Sequence, residues 1–185
     1  TNSHAFTHEV SRTRLLGGFL DRDCKRSSIV EQVACLVHQN AHAITLNTLL
    51  NFKKGIISGP QPTDKDILDY FVLSETVAHV QSIVSSARYS LRAGQSNFST
   101  IQPGMNAENA LREGIGICGT HTEAAIEILK VLGYESRRVQ IFGNSASAGL
   151  TAGDPGKDRF SHIALEVRLG DRWAYIDPTF GFFVT

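Results

Sequence analysis

The sequence predicts an α+β domain whose helices come first and whose small antiparallel sheet fills the last third. Three observations lead there. Apolar residues recur at helical spacing in several segments before Gly133. After Gly133 the period falls to two, and β-branched and aromatic residues gather. Gly170-Asp171 then separates two such runs with the residue types of a tight hairpin.

Size and charge narrow the classes. The 185 residues, 42% hydrophobic, suffice for one domain, or one domain with an appendage, without a metal or disulfide staple. Lys plus Arg and Asp plus Glu number 18 each, and cationic runs are pairs such as Lys53-Lys54 and Arg137-Arg138. No nucleic-acid footprint follows from that. No stretch approaches the ~20 apolar residues of a membrane span, so no membrane insertion is expected. The odd, sparse set Cys24, Cys35 and Cys118 does not read as a disulfide framework, although pairing of Cys24 with Cys35 stays open. The chain starts at Thr1, which leaves a removed export signal, and hence the compartment, open.

The elements follow in order. Residues 27–53 read as helix, with Ile29, Val33, Leu36 and Val37 at helical spacing and Gly55 past the end. Gly59-Pro60-Gln61-Pro62 is a break, setting an N-terminal helical extension of residues 1–62 apart from a core of residues 63–185. Thr63 and Asp66 resemble a capping box, and apolar spacing from Ile67 supports one long or two consecutive helices to about Tyr89. Residues 94–104 are polar and turn-rich, and Asn106 caps a short helix to Glu113. Cys118 stands where a loop becomes a helix with the stripe Ala125, Ile128, Leu129 and Leu132, stopped by Gly133. Residues 138–142, 163–169 and 173–176 read as strands.

Cys118, His162 and Asp177 supply, in that order, a nucleophile, a base and a group to orient the base. A free thiol is mostly protonated at neutral pH. A helix N-terminus and an imidazolium both favour the thiolate. A hairpin about Gly170-Asp171 puts His162 and Asp177 on adjacent strands, about equally far from the turn. Cross-strand neighbours lie ~4.5–5.5 Å apart, within reach of a carboxylate–imidazole hydrogen bond. Packing the sheet on the stripe after Cys118 brings His162 to the helix start. His162 then handles the thiol proton, Asp177 fixes its tautomer, and main-chain N–H groups at Cys118 face a developing oxyanion.

These residues resemble the transglutaminase-like superfamily of papain-type cysteine enzymes. The likeness runs from about Ser74 to Phe180, through Arg88-Tyr89, Gly116-Ile117-Cys118-Gly119, His162-Ile163-Ala164-Leu165-Glu166-Val167 and Trp173-Ala174-Tyr175-Ile176-Asp177-Pro178-Thr179. It implies a papain/transglutaminase-like core and catalytic roles for Cys118, His162 and Asp177. Three departures stand out. Thr120-His121 replaces the acidic–aromatic pair frequent after the Cys-Gly step, which makes His121 a polar candidate for the cleft. A Gly/Ser/Ala-rich insertion, Gly143 to Ser161, precedes His162 and reads as a lid or groove. The chain stops soon after Asp177, leaving a short sheet to be completed by further sequence or a partner. For the second oxyanion donor, Tyr89, Gln102 and Asn109 are the candidates.

Other motifs are weaker. His38 and His42 have helical metal-ligand spacing without a third ligand, so no metal is expected. Gly114, Gly116 and Gly119 match a dinucleotide fingerprint in spacing only, because they follow a helix and not a strand. Asn97-Phe98-Ser99 is a glycosylation sequon by pattern. The expected function is a thiol enzyme acting on an amide or ester carbonyl of a protein or peptide substrate, without cofactor or calcium. The resemblance makes a protease or amidase the leading form, because small members of such families are more often hydrolases. A cross-linking transglutaminase, an arylamine acyltransferase-like enzyme and a non-catalytic scaffold are the alternatives. The acyltransferase reading lacks a visible coenzyme A site.

Overall fold

The computed structural model describes residues 24–60, 62–84, 106–144 and 159–185. Helix α1, Ile29–Lys53, begins at Ser28, whose side chain accepts from Glu31 N, and ends before Gly55 at φ +67°. It buries Val30, Val33, Ala34, Val37, Ala41 and Thr45, one stripe at helical spacing. Cys24 and Cys35 are joined in a disulfide with a Cα–Cα distance of 5.6 Å, which fastens the turn before α1 to the helix and leaves Cys118 as the free thiol.

Helix α2, Asp64–Ile83, starts with the expected capping box. Asp66 N donates to Thr63 Oγ1 at 3.1 Å, and Thr63 N donates to Asp66 Oδ2 at 3.3 Å. The helix stops at Ile83 and Val84 is extended, while the rest of the expected reach to about Tyr89 lies outside the described residues. The buried Val84 turns its carbonyl to His121 Nε2, 3.1 Å away, instead of continuing the helix. A tertiary contact overrides local propensity there. Residues 85–105, including Tyr89, the turn-rich stretch, the Asn97 sequon and Gln102, lie outside the described residues.

Helix α3, Ala107–Glu113, has Asn106 as N-cap, its Oδ1 accepting from Asn109 N at 2.9 Å, and ends at Gly114 with φ +66°. One α3 side chain reaches across the molecule. The Glu108 carboxylate accepts from Ser28 Oγ at 2.8 Å, Ile29 N at 2.9 Å and Val30 N at 3.1 Å, and so caps α1 from outside. Burial pushes the Glu108 carboxyl up, but those bonds and Arg112 outweigh it and hold the group below the usual value of 4.5. A carboxyl depressed on folding stabilises above its unfolded value, and that contribution disappears as pH falls through the folded one. Glu108→Gln is therefore expected to cost about 1–2 kcal/mol at pH 7. The gap to wild type should narrow as pH falls below the usual value of 4.5, as read by thermal unfolding across the acid range.

Helix α4, Cys118–Val131, is followed by Gly133 at φ +85°. The chain then forms one antiparallel sheet in the order β1-β2-β3-β4, with β1 Ser136–Asn144, β2 Arg159–Leu169, β3 Arg172–Asp177 and β4 Phe182–Val184. The first two strands are longer than expected. Gly143 pairs with Phe160 and Asn144 with Arg159, so both ends of the glycine-rich insertion are strand. Residues 145–158, its remainder, lie outside the described residues. The sheet also gains β4 from this chain's own residues, through a turn in which Gly181, at φ +78°, donates its N–H to Asp177 O at 2.9 Å.

Strand alternation puts Leu165, Val167, Leu169, Ala174 and Ile176 on one side of the sheet. There they join Ala124, Ala125, Ile128 and Leu129 of α4 in a single buried cluster that also holds Val72, Leu73 and Val77 of α2. Each fully buried Leu or Ile contributes about 1.5–3 kcal/mol over its exposed state. Val33, Ala34, Val37 and Ala41 of α1 belong to the same cluster, so the N-terminal helix packs into the common core. The molecule is α+β, with its helices covering one side of a four-stranded sheet.

Candidate active site

The candidate site forms where β3 leaves β2. Leu165 pairs with Ile176, so the same register carried onward sets Ala164 opposite Asp177 and Ile163 opposite Pro178. Arg168 N donates to Glu135 O on the β1 side, and backbone groups alternate along an antiparallel strand. The peptide groups of Ile163 consequently point toward β3. Pro178 has no N–H to offer them, and β3 ends at Asp177. Thr122 Oγ1 of α4 donates to Ile163 O instead, at 3.0 Å. The first turn of α4 thus docks on the edge of β2 that β3 vacates. Gly119, next to Cys118, lies against Ile163, next to His162, where a Cβ on the glycine would stand 3.6 Å from Ile163 Cδ1.

His162 and Asp177 lie on the same side of the sheet, and His162 Nε2 donates to Asp177 Oδ2 at 2.6 Å. Both are buried, His162 at 7% and Asp177 at 1% exposure. The carboxylate is fully engaged. Its Oδ2 also accepts from Tyr175 Oη at 3.4 Å, and its Oδ1 accepts from Thr179 N at 3.1 Å and Phe180 N at 3.2 Å. An Asp two residues before the turn's N–H groups folds back on its own backbone in this way, which fixes the carboxylate before the imidazole meets it. Burial and Asp177 push the Tyr175 hydroxyl up to about 12, keeping it a donor at neutral pH.

Cys118 is the first residue of α4 and half-buried. The N-cap position is held by Ile117, which has no side-chain acceptor for the first-turn N–H groups, and no acidic residue occupies that turn. The loop is fixed by Thr120, whose Oγ1 accepts from Ile117 N at 2.7 Å and donates to Ile117 O at 2.8 Å. Gly116 permits this. A Cβ there would overlap Thr120 Oγ1 and stand 2.8 Å from Val84 Cγ1. The outcome is a helix start whose N–H groups and positive dipole end are available to a thiolate or oxyanion.

The sequence-derived residues separate into three groups. His162 and Asp177 are joined directly, and Cys118 lies on the turn docked beside them, although among the described residues no hydrogen bond links Cys118 to His162. His121 is buried under the same turn, with Nδ1 2.9 Å from Ile117 O and Nε2 3.1 Å from Val84 O, where it ties the start of α4 to the end of α2. Asn109 is exposed on α3, and Tyr89 and Gln102 lie outside the described residues. Tyr175, Thr122 and Phe180 were not anticipated. Strand alternation two residues before Asp177 would have found Tyr175, and helical spacing four residues after Cys118 would have found Thr122. Phe180, in the turn, had no periodic signal. His38 and His42 meet edge to face at 4.4 Å, and the described residues contain no cluster of three metal-ligating side chains.

A thiol heading a helix, docked on an antiparallel sheet that carries a bonded imidazole–carboxylate pair, defines the papain-like class of α+β folds. Within that class, the family profile described as the transglutaminase-like superfamily matches residues 68–178, more than half of the chain. The chain belongs to that superfamily. No curated protein and no solved structure matches it.

Proposed function

We propose that the protein is a cysteine-dependent acyl-transfer enzyme that cleaves or exchanges an amide bond through an acyl-enzyme on Cys118. The observation that carries this is the 2.6 Å bond from His162 to a fully engaged Asp177, beside the helix start that holds the thiol. Asp177 holds Nε2 of the imidazole, so exchange with the thiol runs through Nδ1. The thiolate adds to the carbonyl carbon, and the oxyanion meets N–H groups at the start of α4. His162 then protonates the departing amine as the C–N bond breaks, leaving a thioester. Water or a second amine attacks that thioester, sulfur leaves, and the incoming group's proton passes to the imidazole.

Water as acceptor makes the protein a protease or amidase, the form we favour over a cross-linking transglutaminase. A non-catalytic binding domain is the second reading, because a fold can be kept without its chemistry. Alkylation separates the two. With Cys24 and Cys35 bridged, iodoacetamide without reductant reads Cys118 by itself. At about pH 6–7 an enzyme's thiol is expected to react roughly tenfold faster than a free cysteine derivative. A rate equal to the free thiol would leave the scaffold reading.

A further inference from the structure

His162 hands its proton to the leaving amine, so the leaving side of the substrate must lie over that imidazole. The chemistry of the surfaces around His162 therefore selects it. Three large apolar side chains stand exposed there, each placed by a separate relation. The Phe180 ring packs 4.9 Å from the imidazole centroid and is 64% exposed. Ile141 is the cross-strand partner of His162 and is 40% exposed. Phe182 is the partner of Asp177 and is 39% exposed. Cross-strand partners stand on the same side of a sheet, so Ile141 and Phe182 flank the His162–Asp177 pair.

Among the described residues, charge on that side is already committed. Asp177 is buried and held by His162, and Glu166 is bonded to Arg137, whose guanidinium also lies 4.1 Å from the Trp173 ring. Among the described residues, no carboxylate on this side is left for an incoming ammonium group. An aromatic or aliphatic group gains from covering Phe180 and Ile141, whereas a lysine-like amine would desolvate its charge against them.

Resting on the acyl-enzyme reading, we infer that the site takes amides whose leaving side is apolar or aromatic, with Phe180 as the specificity-determining residue. By microscopic reversibility, an amine that attacks the acyl-enzyme binds where the leaving amine departs. Choice of acceptor therefore reports the same surface. The attacking nitrogen forms the C–N bond as the thioester C–S bond breaks, sulfur leaves as thiolate, and the surplus proton moves to His162.

The test uses the whole chain and p-nitrophenyl acetate, which acetylates Cys118 with release of p-nitrophenolate. Phenethylamine and 1,5-diaminopentane, at equal free-base concentration, then compete with water, and the N-acetyl products are counted by mass spectrometry. The expected result is phenethylamine capture exceeding diaminopentane capture by about tenfold. Phe180→Ala should bring that ratio near one whatever its effect on p-nitrophenolate release, because the ratio compares two acceptors for one acyl-enzyme, and Phe180→Tyr should restore it. Equal capture by wild type, or a ratio indifferent to Phe180→Ala, overturns the inference while Cys118-dependent release leaves the acyl-enzyme reading intact. Release that persists in Cys118→Ala removes both.

Discussion

Cys118→Ala is expected to lower turnover at least about a thousandfold in whichever assay of a casein, glutamine–amine and peptidoglycan-peptide panel responds. Alanine removes the atom proposed to form the acyl-enzyme, while the helix start keeps its main-chain geometry. The partner substitution, His162→Ala, keeps the thiol and removes the proton acceptor. Iodoacetamide labelling of Cys118 should then fall to the rate of a free thiol at pH 6–7, a loss of roughly tenfold. Undiminished labelling in His162→Ala would detach the imidazole from the thiol and end the acyl-transfer reading. The disulfide gives this experiment a clean background, because Cys24 and Cys35 do not react unless reduced.

Asp177→Asn is expected to cost about 10³–10⁴-fold in turnover with little change in stability. An asparagine can keep its carbonyl on Thr179 N and Phe180 N, the two bonds that shape the turn. What it presents to His162 Nε2 is then an amide donor, which forces the opposite tautomer and points an N–H, not a lone pair, at the thiol whose proton must be taken. Thermal unfolding separates this from misfolding. Wild-type-like melting with lost turnover assigns Asp177 to the imidazole, whereas a melting drop in proportion to the activity loss assigns it to the turn. Asp177→Ala serves as the contrast, since it removes both sets of bonds and should lower both quantities.

Much of the fold was legible before any coordinates. Thr63 and Asn106 mark helix starts by local chemistry, and Gly55 and Gly133 mark stops, because caps satisfy backbone groups within a few residues. The superfamily profile and the resemblance in Gly116–Gly119, His162–Val167 and Trp173–Thr179 agree over the same stretch. Where sequence reasoning failed, a distant contact had decided the matter. The break at Val84 is one case, since the periodicity carries no record of His121 claiming its carbonyl. The three residues of β4 are another, being too few to show a period. The Cys24–Cys35 bridge closes a pairing that spacing by itself had left open.

The sequence by itself determined the α+β class, the order of Cys118, His162 and Asp177, and the caps that start α2 and α3. Those depend on residue types and short-range periodicity, which the chain displays without folding. Only the tertiary structure decided that Pro178 ends β3 opposite Ile163, that Thr122 takes the carbonyl left there, and that the thiol's helix docks beside the His162–Asp177 pair. The physical reason is that an orphaned backbone group has no fixed partner along the chain. It is satisfied by whichever distant donor the packed core brings within reach.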